Sequence, residues 1–251
     1  MKPFVSTLFP KKLTLKKFDA YMAEGYFPSG QALQALSHLV KQFMWVLEVN
    51  KVYRTRFIVE DVVVHKTHQR IKKLNRNFRF DIQEFTEIEQ VHYALYQKYS
   101  NHIKFDCAST ILENLEVNNS KESVFKRMAI SVYDKEKLIA IDILYAGAES
   151  LASVLCIYDP EYAKYSLGKY TMLLAIDYMR QHGYKYYYIG YLINGDSKFD
   201  YKLFLGAESA YVYDNENRSW DKFDSSILIP IDYTDAERMT IAIEINGFYA
   251  A

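Results

Sequence analysis

Asp159 stands at the end of the apolar run SLASVLCIYD (150–159). It precedes a proline and a loop, YAKYSLGKY, that leads into a helical pattern. A helix start carries unpaired N–H groups and partial positive charge. A carboxylate beside it can take a proton from an amine or hold an ammonium group. The same Asp-Pro pair also makes an ordinary capping turn. In the loop, Ser166 and Gly168 are placed to hold an anion or an activated carbonyl, and Ser166 can equally be a plain N-cap. The next strand pattern, KYYYIGY (185–191), supplies Tyr188 and Tyr191, which join Asp159 as candidate catalytic residues. Strand alternation points these two tyrosines to opposite faces. Gly190 between them either splays the strand for a substrate or marks a bulge. Tyr170, Lys198, Tyr201 and Lys202 complete the candidate substrate-binding set. Lys198 and Lys202 offer charge to an acidic side chain or to RNA phosphate.

The strongest electrostatic signal is Lys66, Arg70, Lys72, Lys73 and Arg76, with Arg79 just beyond and no acidic residue from 62 to 80. On a helix these make a positive stripe suited to a tRNA backbone, or else a solvated face balanced by an acidic tail. That tail, 214–251, holds 8 acidic and 3 basic residues. Over the whole chain 31 basic residues balance 31 acidic ones, so net charge selects no partner. His65 and His68 are expected on the surface. Cys107 and Cys156 show no zinc-binding spacing, so no metal is expected. Cys156, within SVLCIY, reads as a small buried hydrophobe. The 23 tyrosines against 9 glycines suit pocket walls that also hydrogen-bond, or simply core packing. No apolar run is long enough to cross a bilayer and the first residues do not read as a signal peptide, so a cytoplasmic protein without membrane contact is expected.

The elements that must position these residues follow from periodicity. Helices are expected at 14–24, 65–77, 86–100, 108–117 and 167–182, the last stopped by Gly183. Strands are expected at 42–49, 78–85, 124–133, 138–147, 150–159 and 185–191, with 56–64 a strand or an extended connection. Residues 26–31 read as a turn and 118–123 as a polar loop. SSILIPI and MTIAIEI in the tail are strand-like. An antiparallel hairpin at 124–147 followed by a strand–helix–strand unit at 150–191 gives an α/β (α+β) fold, a mixed sheet flanked by helices.

The loop Tyr165-Ser166-Leu167-Gly168-Lys169-Tyr170 occupies the place of the Gln/Arg-x-x-Gly-x-Gly/Ala loop of acetyl-CoA-dependent N-acetyltransferases, matching it at Gly168 alone. Tyr170 would crowd the backbone where a CoA pyrophosphate must approach. The ordered set Tyr158-Asp159-Pro160-x-Tyr162, Ser166-Leu167-Gly168-x-Tyr170, Tyr187-Tyr188-x-Gly190-Tyr191 and Lys198…Tyr201-Lys202 resembles the C-terminal region of the arginyl/leucyl-tRNA–protein transferases. GYFPSGQ (25–31) and HQRIKKLNRNFRF are similar to earlier segments of that family. The resemblance implies an N-acetyltransferase-like (GNAT-like) core over residues 86–215. An N-terminal segment, 1–85, would pack on it and an acidic segment, 216–251, would follow. It implies an acyltransferase that moves an amino acid from charged tRNA to a protein's N-terminal amine, with an acidic first residue favoured. Aminoacyl-tRNA would be the co-substrate, with no other cofactor. The alternatives are a CoA-dependent N-acyltransferase and a non-catalytic RNA-binding protein of the same fold.

Overall fold

The computed structural model describes residues 2–43, 46–103, 107–119 and 121–246. Its elements run β1 (Val5–Leu8), α1 (Leu15–Ala23), β2 (Phe27–Ser29), β3 (Ala32–Leu36), β4 (His38–Phe43), β5 (Val46–Ile58), α2 (Lys66–Leu74), β6 (Arg79–Glu84), α3 (Gln90–His102), α4 (Ile111–Asn114), β7 (Lys126–Asp134), β8 (Lys137–Ala146), β9 (Ser150–Tyr158), α5 (Leu167–His182), β10 (Tyr186–Ile193), β11 (Ala210–Asp214), β12 (Ser219–Lys222) and α6 (Asp235–Asn246). The main sheet has the order β12-β11-β5-β10-β9-β8-β7-β6, with β4 paired to β5. Only β9 and β10 run parallel among the described pairs; the rest are antiparallel. This is the mixed sheet flanked by helices that the sequence predicts. A small sheet, β1-β3-β2, lies beside it.

Alternation along β8 divides the core. Ile141, Ile143 and Tyr145 join Phe18 and Met22 of α1 and Leu95 of α3 on one face. Ala140 and Leu144 meet Leu173, Leu174 and Met179 of α5 on the other. A 16-residue helix with so broad an apolar surface is buried by the sheet it crosses. Gly183, at φ 72°, ends it. Residues 1–85 supply β5 and β6 to the sheet, and 216–246 supply β12 and α6.

Several elements differ from the sequence reading. The strand expected at 42–49 is the meeting of two strands, β4 and β5, and its residues 44 and 45 lie outside the described residues, as does 120 of the polar loop at 118–123. Residues 27–29 form an edge strand, where Pro28 needs no ladder donor. SSILIPI becomes a 3-10 turn over Ser225–Leu228, started by Asp224 accepting from the Ser226 N–H at 2.7 Å. MTIAIEI is helix. Its alternation mimics a strand, but Thr234 and Glu237 form a capping box, with Glu237 accepting from the Thr234 N–H at 2.8 Å and Thr234 Oγ1 from the Glu237 N–H at 3.3 Å. Ile241 and Ile245, four apart, then bury against Val49 and Val52.

Asp159 joins β9 to the next turn. It is 1 % exposed, and its carboxylate takes Lys137 Nζ at 2.9 Å, Lys98 Nζ at 3.2 Å and the Glu161 N–H at 3.1 Å. Burial alone would raise its pKa. The donors from Lys137, Glu161 and Lys98 outweigh that and hold it below the usual carboxylate value. We expect Asp159→Ala to lower unfolding free energy by about 2–3 kcal/mol at neutral pH. Because the folded pKa is depressed, this stabilisation is present above the ordinary carboxylate value of 3.8 and is lost as pH falls through the lower folded value. Urea titrations at pH 7 and pH 3 check both points.

Candidate functional site

β9 and β10 pair at only three positions, Ser150–Ala152 against Tyr186–Tyr188. Beyond them the strands part. β9 stays on β8 as far as Tyr158, while β10 stays on β5 as far as Ile193. At Gly190, with φ 92°, the register of β10 on β5 shifts by a bulge. An L side chain is strained there, and a Cβ would also stand 3.1 Å from Lys202 Nζ. The gap between the strands is a cleft of about 700 Å³, closed at one end by the first turn of α5 and roofed by the 3-10 segment Ser197–Leu205. Leu39 and Lys41 of β4 form another wall, and Lys41 reaches Asp196 at 4.0 Å.

Asp142 of β8 lies in this cleft, 1 % exposed and opposite Cys156 in the ladder. Ser153 donates to its Oδ1 at 2.7 Å, while its Oδ2 is buried with no hydrogen-bond partner among the described residues. Burial raises its carboxyl to about 7, against the pull of the Ser153 and Thr171 hydroxyls. The Tyr187 hydroxyl, also in the cleft, is likewise buried without a partner, and burial together with Asp142 raises it well above its ordinary value. An isolated buried carboxyl oxygen is costly unless something arrives to meet it. Such a group, poised near neutrality in a concave site, is a candidate acid–base. Cys156 lines the cleft half-buried rather than lying in the core, and its thiol is raised by burial and by Asp142, so it stays protonated. That argues against thiolate catalysis.

Of the residues singled out from the sequence, Ser166, Gly168, Tyr191, Lys198, Tyr201 and Lys202 line the cleft together. Ser166 sits at the N-cap position with φ 53°, but its side chain makes no capping bond. A Cβ on Gly168 would meet Cys156 Sγ at an ordinary 3.8 Å, so packing does not demand the glycine. Lys202 Nζ donates to the Tyr191 carbonyl at 3.0 Å and lies between the Tyr191 and Phe199 rings, at 4.7 and 4.9 Å. Burial, then Arg54 and Lys198, lowers its ammonium to about 7. Tyr201 has a half-exposed ring, but its hydroxyl is sunk among Cys156, Tyr99, Asp142 and Tyr158, which raises its pKa.

Three others lie elsewhere. Tyr188 faces the opposite side of the sheet, where its hydroxyl takes a hydrogen bond from Arg56 at 3.3 Å and its ring meets Trp220. Tyr170 is 5 % exposed in the core beneath α5, so it does not crowd the helix start as its bulk suggests. Asp159 is committed to its two lysines. In α2, Lys66, Arg70 and Lys73 are exposed, as is Arg76 just past its end, while Lys72 is paired with Asp177 of α5. His68 is not on the surface; it is 1 % exposed and bonded to the Phe204 carbonyl.

Asp142 was not legible as a site residue. It falls in the strand pattern LIAIDILYAG, where one acidic residue among apolar neighbours was the available signal. Arg54 of β5, buried and stacked 5.4 Å from the Tyr191 ring, was equally hidden.

The comparisons bear on this same region. The family model for the C terminus of arginine-tRNA-protein transferase matches residues 91–211. An aspartate/glutamate leucyltransferase of Leptospira interrogans is 28% identical over 170 residues, 65% of this chain and 65% of that protein. Those of Acinetobacter baumannii and Campylobacter jejuni are 26% and 24% identical, covering 59% of this chain in each case and 55% and 63% of their own length. The chain thus spans less than two thirds of these relatives. The matched stretch runs from α3 to the start of β11 and contains both splayed strands, Asp142 and the lysines of the roof, and over it the chain is similar to the arginine-tRNA-protein transferases.

Proposed function

We propose that this protein moves an aminoacyl group from charged tRNA to the N-terminal amine of a protein whose first residue is acidic. The observation that carries this reading is the buried Asp142 carboxyl, with an unpartnered oxygen, in a cleft large enough for an aminoacyl ester and an extended N-terminus. The acceptor ammonium fits against Asp142, which takes its proton. The freed amine forms the new C–N bond at the ester carbonyl. As the C–O bond breaks, Asp142 hands its proton to the ribose oxygen, then takes the second proton from the new amide nitrogen and releases it to solvent. The Leu167 and Gly168 N–H groups, in the first turn of α5, lie where a developing oxyanion needs donors. Lys202 and Lys198 face the cleft from its roof, placed for the carboxylate of the acceptor's first side chain. Leu39, Met172, Ile189 and Ile193 give an apolar wall, which suits a leucyl group better than an arginyl one. The exposed stripe of α2 is placed to hold the tRNA backbone.

Among the described residues no helix is long and apolar enough to cross a membrane. Charged tRNA as donor implies the cytoplasm, and marking an acidic N-terminus implies a part in N-terminal degradation signals. Because Tyr170 is turned into the core, the α5 start is also open to a CoA pyrophosphate. The deciding experiment supplies tRNA charged with labelled leucine or arginine, and separately acetyl-CoA, to peptides that differ at residue one. Leucine transfer to Asp- and Glu-peptides is expected. Acetylation without aminoacyl transfer would replace this reading with the CoA-dependent one.

Two predictions follow from the titrating groups. Asp142→Asn should cut transfer by about 100-fold or more. It should also raise stability at pH 8. The folded carboxyl titrates near 7 against an ordinary 3.8, so the unfolded chain releases this proton first and stability falls between those values as pH rises. Asparagine removes that cost, worth up to about 4 kcal/mol. Lower stability at pH 8 together with retained activity would argue against the role. For an acidic acceptor, kcat/KM should be bell-shaped around pH 7, since Asp142 must be ionised and Lys202 protonated, each near 7. Lys202→Arg should carry the alkaline limb upward, because a guanidinium stays charged; an unmoved limb assigns it to another group.

A further inference from the structure

The inward face of α2 reaches both sides of the cleft through buried polar side chains. His68 accepts the His65 backbone N–H at Nδ1, 3.2 Å, and donates from Nε2 to the Phe204 carbonyl at 2.8 Å. These two bonds fix it as the neutral Nε2–H tautomer. Phe204 belongs to the 3-10 segment that carries Lys198, Tyr201 and Lys202, and its ring also lies 4.9 Å from His68. Two turns on, Asn75 is fully buried. It donates from Nδ2 to the Tyr165 carbonyl at 2.9 Å, the residue just before Ser166 and the α5 start. Between them Lys72 is paired with Asp177 of α5. Outside the helix, His65 Nε2 meets Glu208 at 2.7 Å just past the same 3-10 segment. Buried side chains hung on backbone carbonyls fix where a segment lies, because leaving either partner unmet costs more than the bond gains. The opposite face of the same short helix is the exposed row Lys66, Arg70 and Lys73, continued by Arg76.

We propose that α2 is the brace that sets the distance between the roof and the helix end of the cleft. His68 and Asn75 are its positioning residues, and a polyanion bound on its outer row is felt at both rims. The second half rests on the reading that tRNA is the donor. A nine-residue helix tied at one end to the roof and at the other to the loop before α5 moves both or neither. Binding that immobilises it withdraws motion from both rims.

Hydrogen exchange of the full chain, with and without bulk deacylated tRNA, tests this. In the wild type, tRNA is expected to slow exchange by about five-fold or more in both 162–170 and 197–205. His68→Ala should bind tRNA as tightly, within about two-fold, yet lose the slowing at 197–205 while keeping it at 162–170. Asn75→Ala should do the reverse, so the proposal stands on two independent variants. Charge reversal of Lys66, Arg70, Lys73 and Arg76 together should abolish binding and both effects. Where transfer is measured, His68→Ala should lower kcat with KM for charged tRNA unchanged. Equal slowing in the wild type and both alanine variants would mean direct contact and overturn the brace. Binding without slowing at either rim would overturn it too, while leaving tRNA as substrate. A wild-type chain that retains no tRNA would remove the coupling and the donor assignment together.

Discussion

The site depends on β9 and β10 parting company after three paired residues. A parallel pair that continued would close the gap and bury Asp142 beneath a finished sheet. Instead each strand is held on its outer side, β9 by β8 and β10 by β5, and the bulge at Gly190 lets β10 follow β5 away. The unpaired inner edges, the Asp142 carboxyl and the start of α5 then face one space. The antiparallel ladders on either side are what keep so open a wedge from collapsing, because each splayed strand already has a full partner.

Charge inside that wedge is arranged by burial more than by pairing. Asp142 and Lys202 are both displaced toward neutrality, the carboxyl upward and the ammonium downward, and desolvation is the largest cause for each. Asp159 shows the contrast. It is as buried as Asp142, yet two lysines and a backbone N–H commit it to the anion and to holding a turn. The two aspartates, one within β8 and one just past the end of β9, are thus left with different hydrogen-bonding capacity. The one with unmet hydrogen-bonding capacity is available for chemistry and the saturated one is structural.

Function also draws on parts distant in sequence. The roof lysines come from 197–205, the wall from β4, the floor from β8 and the brace from α2, and the sheet brings them together. Residues 1–85 contribute a wall of the cleft through Leu39 and Lys41 and a stacking cation through Arg54.

The central strands, the helix 167–182 and the loop at its start are legible in the amino-acid order, because 2- and 3.6-residue apolar periods are local properties of the chain. The ordered tyrosine, glycine and lysine motifs also mark residues that come together, since Ser166, Gly168, Tyr191, Lys198, Tyr201 and Lys202 line one cleft. Which aspartate is free, which tyrosine faces the cleft and which cations are spent on α5 were decided only by tertiary structure. Asp159 and Tyr188 look as reactive as their neighbours until their partners are known. Asp142 looks like an oddity in an apolar strand until the parting of two other strands exposes its empty side. The tail helix makes the same point in the fold: its alternation reads as a strand, and a capping box and the groove beside Val49 and Val52 make it a helix. Local pattern sets what a segment can be. Hydrogen-bond saturation and burial, which need the whole chain, set what each polar group is left to do.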